Sequence, residues 1–538
     1  MAEPTTPDRA TPGPSSAGRT TPEPPTAAPR TPYLMAGRAA AGHLLLRGRA
    51  LAGAGRRPSA RARHVTALAA LVLAAAWAYA LLGLVRYDLY RATSMDLTLF
   101  DQVVRGFASF STPMSPLRGV MIDKGMDFNQ LGEHFSPILA LLAPLYWIHD
   151  GPETLIVAQA ALLALAIPPL WLFTRRTLGT HSAYLVVIAY AVSWPVSRTV
   201  DFDFHEVAFV PLITAVMIER FSAGKHGHVV TAVAALLLVK EDMGLMVAGF
   251  GGYALLRGRR FDGIAYIVCG LGYTEYARNV MIPAMGGDSG SFWAYGWLGP
   301  DLPHVAAKMV TDPLTVLGAL VSPQVKLDTL MFLLWPCLLA CLFSPLTLMA
   351  LPHILERMLS DHPMWWWTNF HYNTFTVIVL MCAGVEGAAR IAWWLHRRHP
   401  TFPERHGALM WSVGVFVVAI TLIPRFPFDQ LIRPEFYERH PDVVAADEAV
   451  EVVPSGAVVE AVNHVGPHLS ARTTTLLWED RPPLAPWIVA DTARPSFPFG
   501  SADRQRDRVN ELKLLGYQVV FDREGYVVLH RPGAAPPS

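Results

Sequence analysis

The sequence predicts a mainly α-helical protein that crosses a membrane many times and carries a small α/β domain near its C-terminus. Three observations predict it. Of 538 residues, 52% are hydrophobic and only 16% are charged, where soluble domains carry about 25%. The mean hydropathy is +0.30, and apolar runs of nearly bilayer-crossing length recur along the chain. Beyond about residue 424 the pattern changes to short strand-like runs separated by turn signals. The net charge of +1 leaves no basic surface to neutralise phosphates, so nucleic acid is excluded as a partner. Cys269, Cys337, Cys341 and Cys382 fall in apolar runs, where they read as small buried hydrophobes and not as a disulfide framework or zinc site.

Residues 1–62 are rich in Pro, Thr, Ser, Ala and Arg, with Thr-Pro recurring at Thr6, Thr11, Thr21 and Thr31. Such a stretch cannot bury enough apolar surface to offset its ordering entropy, and a disordered tail is expected. It lacks the apolar core of a secretory signal. Arg56, Arg57, Arg61 and Arg63 precede the first apolar run, which places the N-terminus in the cytoplasm.

A membrane domain is expected over residues 63–424. Crossing the hydrocarbon core takes about 20 apolar residues. Runs that qualify or nearly qualify lie at 65–86, 153–173, 181–198, 206–221, 262–282, 328–342, 372–395 and 407–424, with shorter ones at 229–239, 243–256 and 345–359. Keeping Arg175-Arg176, Arg220 with Lys225, Arg257 with Arg259-Arg260, and Arg397-Arg398 on the cytoplasmic side fits about eleven spans in a multi-pass plasma-membrane protein. In that arrangement residues 135–148 lie along the outer surface and do not cross. Residues 425–538 form an extracytoplasmic α/β domain, with strands near 457–462, 473–478, 487–491, 517–521 and 526–530 and a helix at 504–515. Gly516 suits a helix C-cap and Glu524-Gly525 a hairpin turn.

The same arrangement sends the conspicuous polar motifs to the outer face. Asp96 and Asp101-Gln102 lie just past the first span; Asp96 is a candidate general base for an acceptor hydroxyl, with a solvated loop acid or helix cap as the plain alternative. Asp201, Asp203 and His205 alternate along an extended segment and could hold a divalent cation, or simply cap the next span. Lys240-Glu241-Asp242 interrupts an apolar hairpin whose first arm is only about 16 Å long as a helix. Charges at that depth pair with one another or line a wet cavity; the cavity is favoured, with Lys240 suited to a lipid phosphate. Glu275 and Arg278 stand i, i+3 and are expected to pair. Trp365 to Trp367 read as a membrane-boundary anchor, and His371 and Tyr372 open a span, serving either packing or chemistry.

Taken in order, Asp96-Leu97, Phe100-Asp101-Gln102, Glu133-His134-Phe135-Ser136-Pro137, Pro144-Leu145-Tyr146, His205-Glu206, Lys240-Glu241-Asp242 and His371-Tyr372-Asn373 resemble an uncharacterised prokaryotic family of polytopic membrane proteins. Its layout resembles the GT-C glycosyltransferase superfamily. The likeness covers about residues 65–530. It implies a GT-C-like bundle that transfers a sugar from a polyprenyl-phosphate carrier to a cell-envelope acceptor outside the cytoplasm. Asp96 takes the position of the first-loop acid, standing singly before Leu97, and Phe135-Ser136-Pro137 resembles the opening of the following surface helix with one proline. On that reading Asp96 is the catalytic base. Asp101, Gln102, His134, His205, Glu206, Lys240, Glu241, Arg278, His371 and Tyr372 contact substrate, and Asp201 and Asp203 shape or metallate the site. A non-catalytic scaffold, a transporter or a lipid flippase is the competing class.

Overall fold

The structure is a computed structural model that describes residues 59–290 and 293–533. The expected tail over residues 1–62 lies almost wholly outside these. The described residues from 65 to 533 form one compact unit, so the change of architecture near residue 425 is not a break between separate bodies.

Among the described residues, five helices are long and apolar enough to cross a bilayer: Ala60–Asp88, Glu153–Leu178, Thr180–Asp201, His371–Arg398 and Glu404–Arg425. A sixth crossing is available if Pro313–Ala319 and Gln324–Cys337, bent by 70°, count as one. The expected eleven is therefore not reached by length. Several expected crossings are short helices, including Phe209–Ser222, His226–Leu237 and Met243–Leu256. The run at 328–342 is broken: its helix stops at Leu334, and Leu338 and Leu339 adopt left-handed conformations at φ 49° and 57°. Pro336 removes one backbone donor at this break. The run at 345–359 splits into a 3-10 segment, Pro345–Met349, and a helix, Leu351–Leu359. Residues 135–148 fold as the short apolar segment Pro137–Tyr146, too short to cross.

The helix Thr374–Arg398 is the hub of the bundle, with every residue from Thr374 to Ala388 buried; a helix apolar all round belongs in the interior. Met243–Leu256 and Arg260–Tyr276 pack backbone against backbone. A Cβ on Gly244 would meet the Gly270 carbonyl oxygen at 2.1 Å, and one on Gly270 the Gly244 oxygen at 2.3 Å. Small residues bring helices this close inside membranes.

The C-terminal sheet has five strands: β1 Val458–Ala461, β2 Thr474–Leu477, β3 Trp487–Asp491, β4 Gln518–Arg523 and β5 Tyr526–His530. Their spatial order is β2-β1-β3-β5-β4, parallel across β2, β1 and β3 and antiparallel across β3, β5 and β4. The helix Ala502–Leu514 ends before Gly516 at φ 91°, and the β4–β5 hairpin turns on Glu524 and Gly525 at φ 50° and 89°. These are the positions the turn chemistry requires. Leu89 and Tyr90, at the end of the first long helix, join this domain's own hydrophobic core. Asn463 accepts from the Ser94 and Met95 amides, and Gln102 donates to the Thr475 carbonyl at 2.8 Å. The sheet thereby holds the loop that follows the first helix.

Candidate functional site

The helix Ala60–Asp88 delivers the chain to a sharp turn at Tyr90, φ 55°. Arg86 pairs with Asp201 at 3.0 Å. The Thr93 amide and hydroxyl both donate to one Asp203 carboxylate oxygen, at 2.7 and 2.6 Å. From this anchor Ser94–Thr98 forms a π-helical turn before the α-helix Leu99–Ala108. The wider turn inserts a residue and re-aims the side chains within it, a device common at functional sites. Here it carries Asp96, while Leu97 and Phe100 stay buried.

Asp96 lies 3.1 Å from His205 Nε2, and His205 Nδ1 lies 3.2 Å from the Asp203 carbonyl oxygen. With Nδ1–H donating to that carbonyl, Nε2 must also carry a proton to bond the carboxylate, so the pair is an imidazolium–carboxylate. Burial works against the charged imidazole, but Asp96, Glu206 and the Asp203 carbonyl together outweigh it and His205 is raised above its ordinary value. Its ring stacks on His371 with centroids 3.6 Å apart.

The opposite wall is the turn between the helices His226–Leu237 and Met243–Leu256. Lys240 Nζ stands 3.7 Å from Glu206. Glu241 accepts from His134 Nδ1 at 2.8 Å and from the Phe135 amide at 3.1 Å, which pins the surface segment to this turn. Cavity and ion pairs thus coexist. Arg278 sits in a second π-helical turn, Ala277–Met281. Contrary to expectation it does not pair with Glu275, which accepts from Asn279 at 2.8 Å. Instead Arg278 lines the cavity, with its guanidinium 5.9 Å from the Trp293 ring.

A third wall comes from the helix Leu351–Leu359, whose His353, Glu356 and Arg357 share one face. Arg357 donates to the Trp365 carbonyl at 2.9 and 2.8 Å and to Asn373 Oδ1 at 2.9 Å. Together these walls enclose a cavity of about 400 Å³ that also has apolar lining from Leu99, Phe100, Leu245, Ile282 and Phe375.

Of the sequence candidates, Asp96, His134, His205, Glu206, Lys240, Glu241, Arg278, His371 and Tyr372 line this cavity. Four do not. Asp101 is fully buried against Arg105 and the Tyr146 hydroxyl, at 3.0 and 2.8 Å. Gln102 bridges Ser115 and the sheet. Asp201 is taken by Arg86 and Gln430, and Asp203 by Thr93. The expected cation on Asp201, Asp203 and His205 is thus not the arrangement found, because both carboxylates serve as structural anchors for the first loop. Unforeseen members are Arg118, His353, Glu356, Arg357 and His362. The i, i+3, i+4 spacing of His353, Glu356 and Arg357 within an apolar run was the available signal.

At the far ends of the helices the basic clusters gather. Glu153–Leu178 runs from the cavity end to Arg175-Arg176, and Thr180–Asp201 returns; the turns bearing Arg220, Arg257 to Arg260, and Arg397-Arg398 close three further hairpins in the same sense. Arg176 pairs with Glu219 at 2.6 Å, and Arg257 and Arg390 both pair with Glu386, at 3.2 and 2.9 Å.

The fold combines several helices long and apolar enough to cross a bilayer with a charged chamber at one end of the bundle. The chain belongs to a family described as predicted membrane proteins, DUF2079, whose profile matches residues 86–528. No curated relative matches it. Among solved structures it is similar to ArnT from Cupriavidus metallidurans bound to undecaprenyl phosphate, at 12% identity over 88% of this chain and 99% of that one, with a TM-score of 0.47. It is also similar to the Archaeoglobus fulgidus oligosaccharyltransferase in the apo form, at 11% identity over 78% and 69% of the two chains, with a TM-score of 0.40. A complex of that archaeal enzyme, AglB, with an inhibitory peptide and a dolichol-phosphate aligns at 11% identity over 79% and 69%, with a TM-score of 0.37. These neighbours are GT-C glycosyltransferases.

Proposed function

We propose that this protein is a membrane glycosyltransferase that moves a sugar from a polyprenyl-phosphate donor to an acceptor on the non-cytoplasmic side. The observation that carries the reading is the make-up of the cavity: the Asp96–His205 pair, the cationic Lys240 and Arg278, and apolar lining from Leu99, Phe100, Leu245, Ile282 and Phe375 share one chamber. Such a chamber suits a substrate with an anionic head and a lipid tail. The sequence resemblance of the first-loop acid supports the same reading. Asp96 would accept the proton of the acceptor hydroxyl as it attacks the sugar's anomeric carbon. The bond from that carbon to the phosphate oxygen breaks, and the charge gathering on the departing phosphate is met by Lys240 and Arg278. The gathering of arginines at the other helix ends supports a cytoplasmic position for that end, which leaves the cavity and the C-terminal domain outside.

The test is transfer from a polyprenyl-phosphate sugar by purified protein, read as release of the free carrier phosphate. Wild-type protein should release it. The Asp96→Asn variant should lose at least about 100-fold in rate, the range for removing a general base, while still binding the donor. Wild-type transfer by Asp96→Asn would remove the assigned base. A flippase would instead move labelled lipid across liposomes without consuming it. Lipid mass spectrometry of a deletion strain should show the donor accumulating.

A further inference from the structure

We propose that Asp242, His353 and Glu356 bind one divalent transition-metal cation on the cavity wall. One ligand atom from each, two carboxylate oxygens and an imidazole nitrogen, all lie within 4.8 Å of one another. Small rotamer changes bring such a set around an ion with bonds of about 2.0–2.2 Å. The three residues come from two elements that the fold brings together, the turn after Lys240 and the helix Leu351–Leu359.

A second observation points to a ligand. His353 is only 2% exposed, yet its Nε2 has no hydrogen-bond partner, and Asp242 Oδ1, likewise shielded from solvent, has none either. His353 Nδ1 meets Glu356 at 3.2 Å. Among the described residues, no lysine or arginine nitrogen lies within 4 Å of either carboxylate: Lys240 turns to Glu206, and Arg357 spends its donors on Trp365 and Asn373. A shielded Asp242 oxygen and a shielded His353 nitrogen without hydrogen-bond partners are costly, and a bound cation relieves both. Three protein ligands facing a cavity also leave coordination positions open, as at metal sites that engage a substrate. Under the transferase reading an open position would face the donor's phosphate. Metal binding needs no donor, so either reading can fail alone.

The experiment uses full-length protein in detergent, stripped with EDTA and titrated with Mn²⁺ alone, following the EPR signal of free Mn²⁺. Wild-type protein should bind one equivalent. Glu356→Gln and His353→Gln should each weaken binding at least tenfold, while Asp201→Asn should leave it unchanged. Spin-echo modulation from a coordinated imidazole nitrogen, measured on the wild-type complex, keeps the test independent of whether a variant folds. No stoichiometric binding, full-strength binding by both glutamine variants, or absence of the nitrogen modulation would overturn the site.

Discussion

Asp203 offers a quantitative test of how the first loop is held. Its carboxyl, 7% exposed, is pushed up to about 6 from an ordinary 3.8; burial is the main cause, opposed by Arg86 and the Thr93 hydrogen bonds and reinforced by Asp96. The folded protein therefore holds a proton that the unfolded chain releases between about pH 4 and 6. Stability falls as pH rises through that window, by about two pKa units or roughly 3 kcal/mol, and is level above it. The Asp203→Asn substitution removes the titration yet keeps one amide oxygen to accept both Thr93 donors. Measured by SDS-driven unfolding in mixed micelles with tryptophan fluorescence, the variant should gain about 3 kcal/mol on wild type between pH 4 and pH 7. Parallel pH profiles for the two proteins would refute the reasoning, since they would mean that the carboxyl is not desolvated in the fold.

Asp101→Asn should destabilise the protein by about 1–3 kcal/mol in the same assay, because it weakens the bonds to Arg105, which keeps Asp150, and to the Tyr146 hydroxyl; any loss of transfer should track the folded fraction. Arg357→Lys cannot reproduce the guanidinium's fork to Trp365 and Asn373 and should cost about 1–3 kcal/mol. Gly270→Ala must push the helices Met243–Leu256 and Arg260–Tyr276 apart, costing about 1–3 kcal/mol and lowering the monodisperse fraction on gel filtration.

Local chemistry in the sequence determined the helices of the apolar part, because in lipid a backbone must satisfy its own hydrogen bonds and a helix does so within one segment. It also determined the C-terminal strands, whose turns fall on Gly516 and Glu524-Gly525, and a short non-crossing segment after Phe135. What the sequence left open was how many runs stay whole. The break at Leu338 and Leu339 has proline as its local sign, yet the two residues hold left-handed conformations only in the packed bundle. It also could not sort the acids. Asp96, Asp101, Asp201 and Asp203 look alike along the chain, but Asp201 finds Arg86 115 residues away and Asp203 finds Thr93 110 residues away. A π-helical turn leaves Asp96 facing the cavity. Whether a carboxylate anchors the fold or faces a substrate depends on which distant donor reaches it, and only the tertiary structure brings those donors within bonding distance.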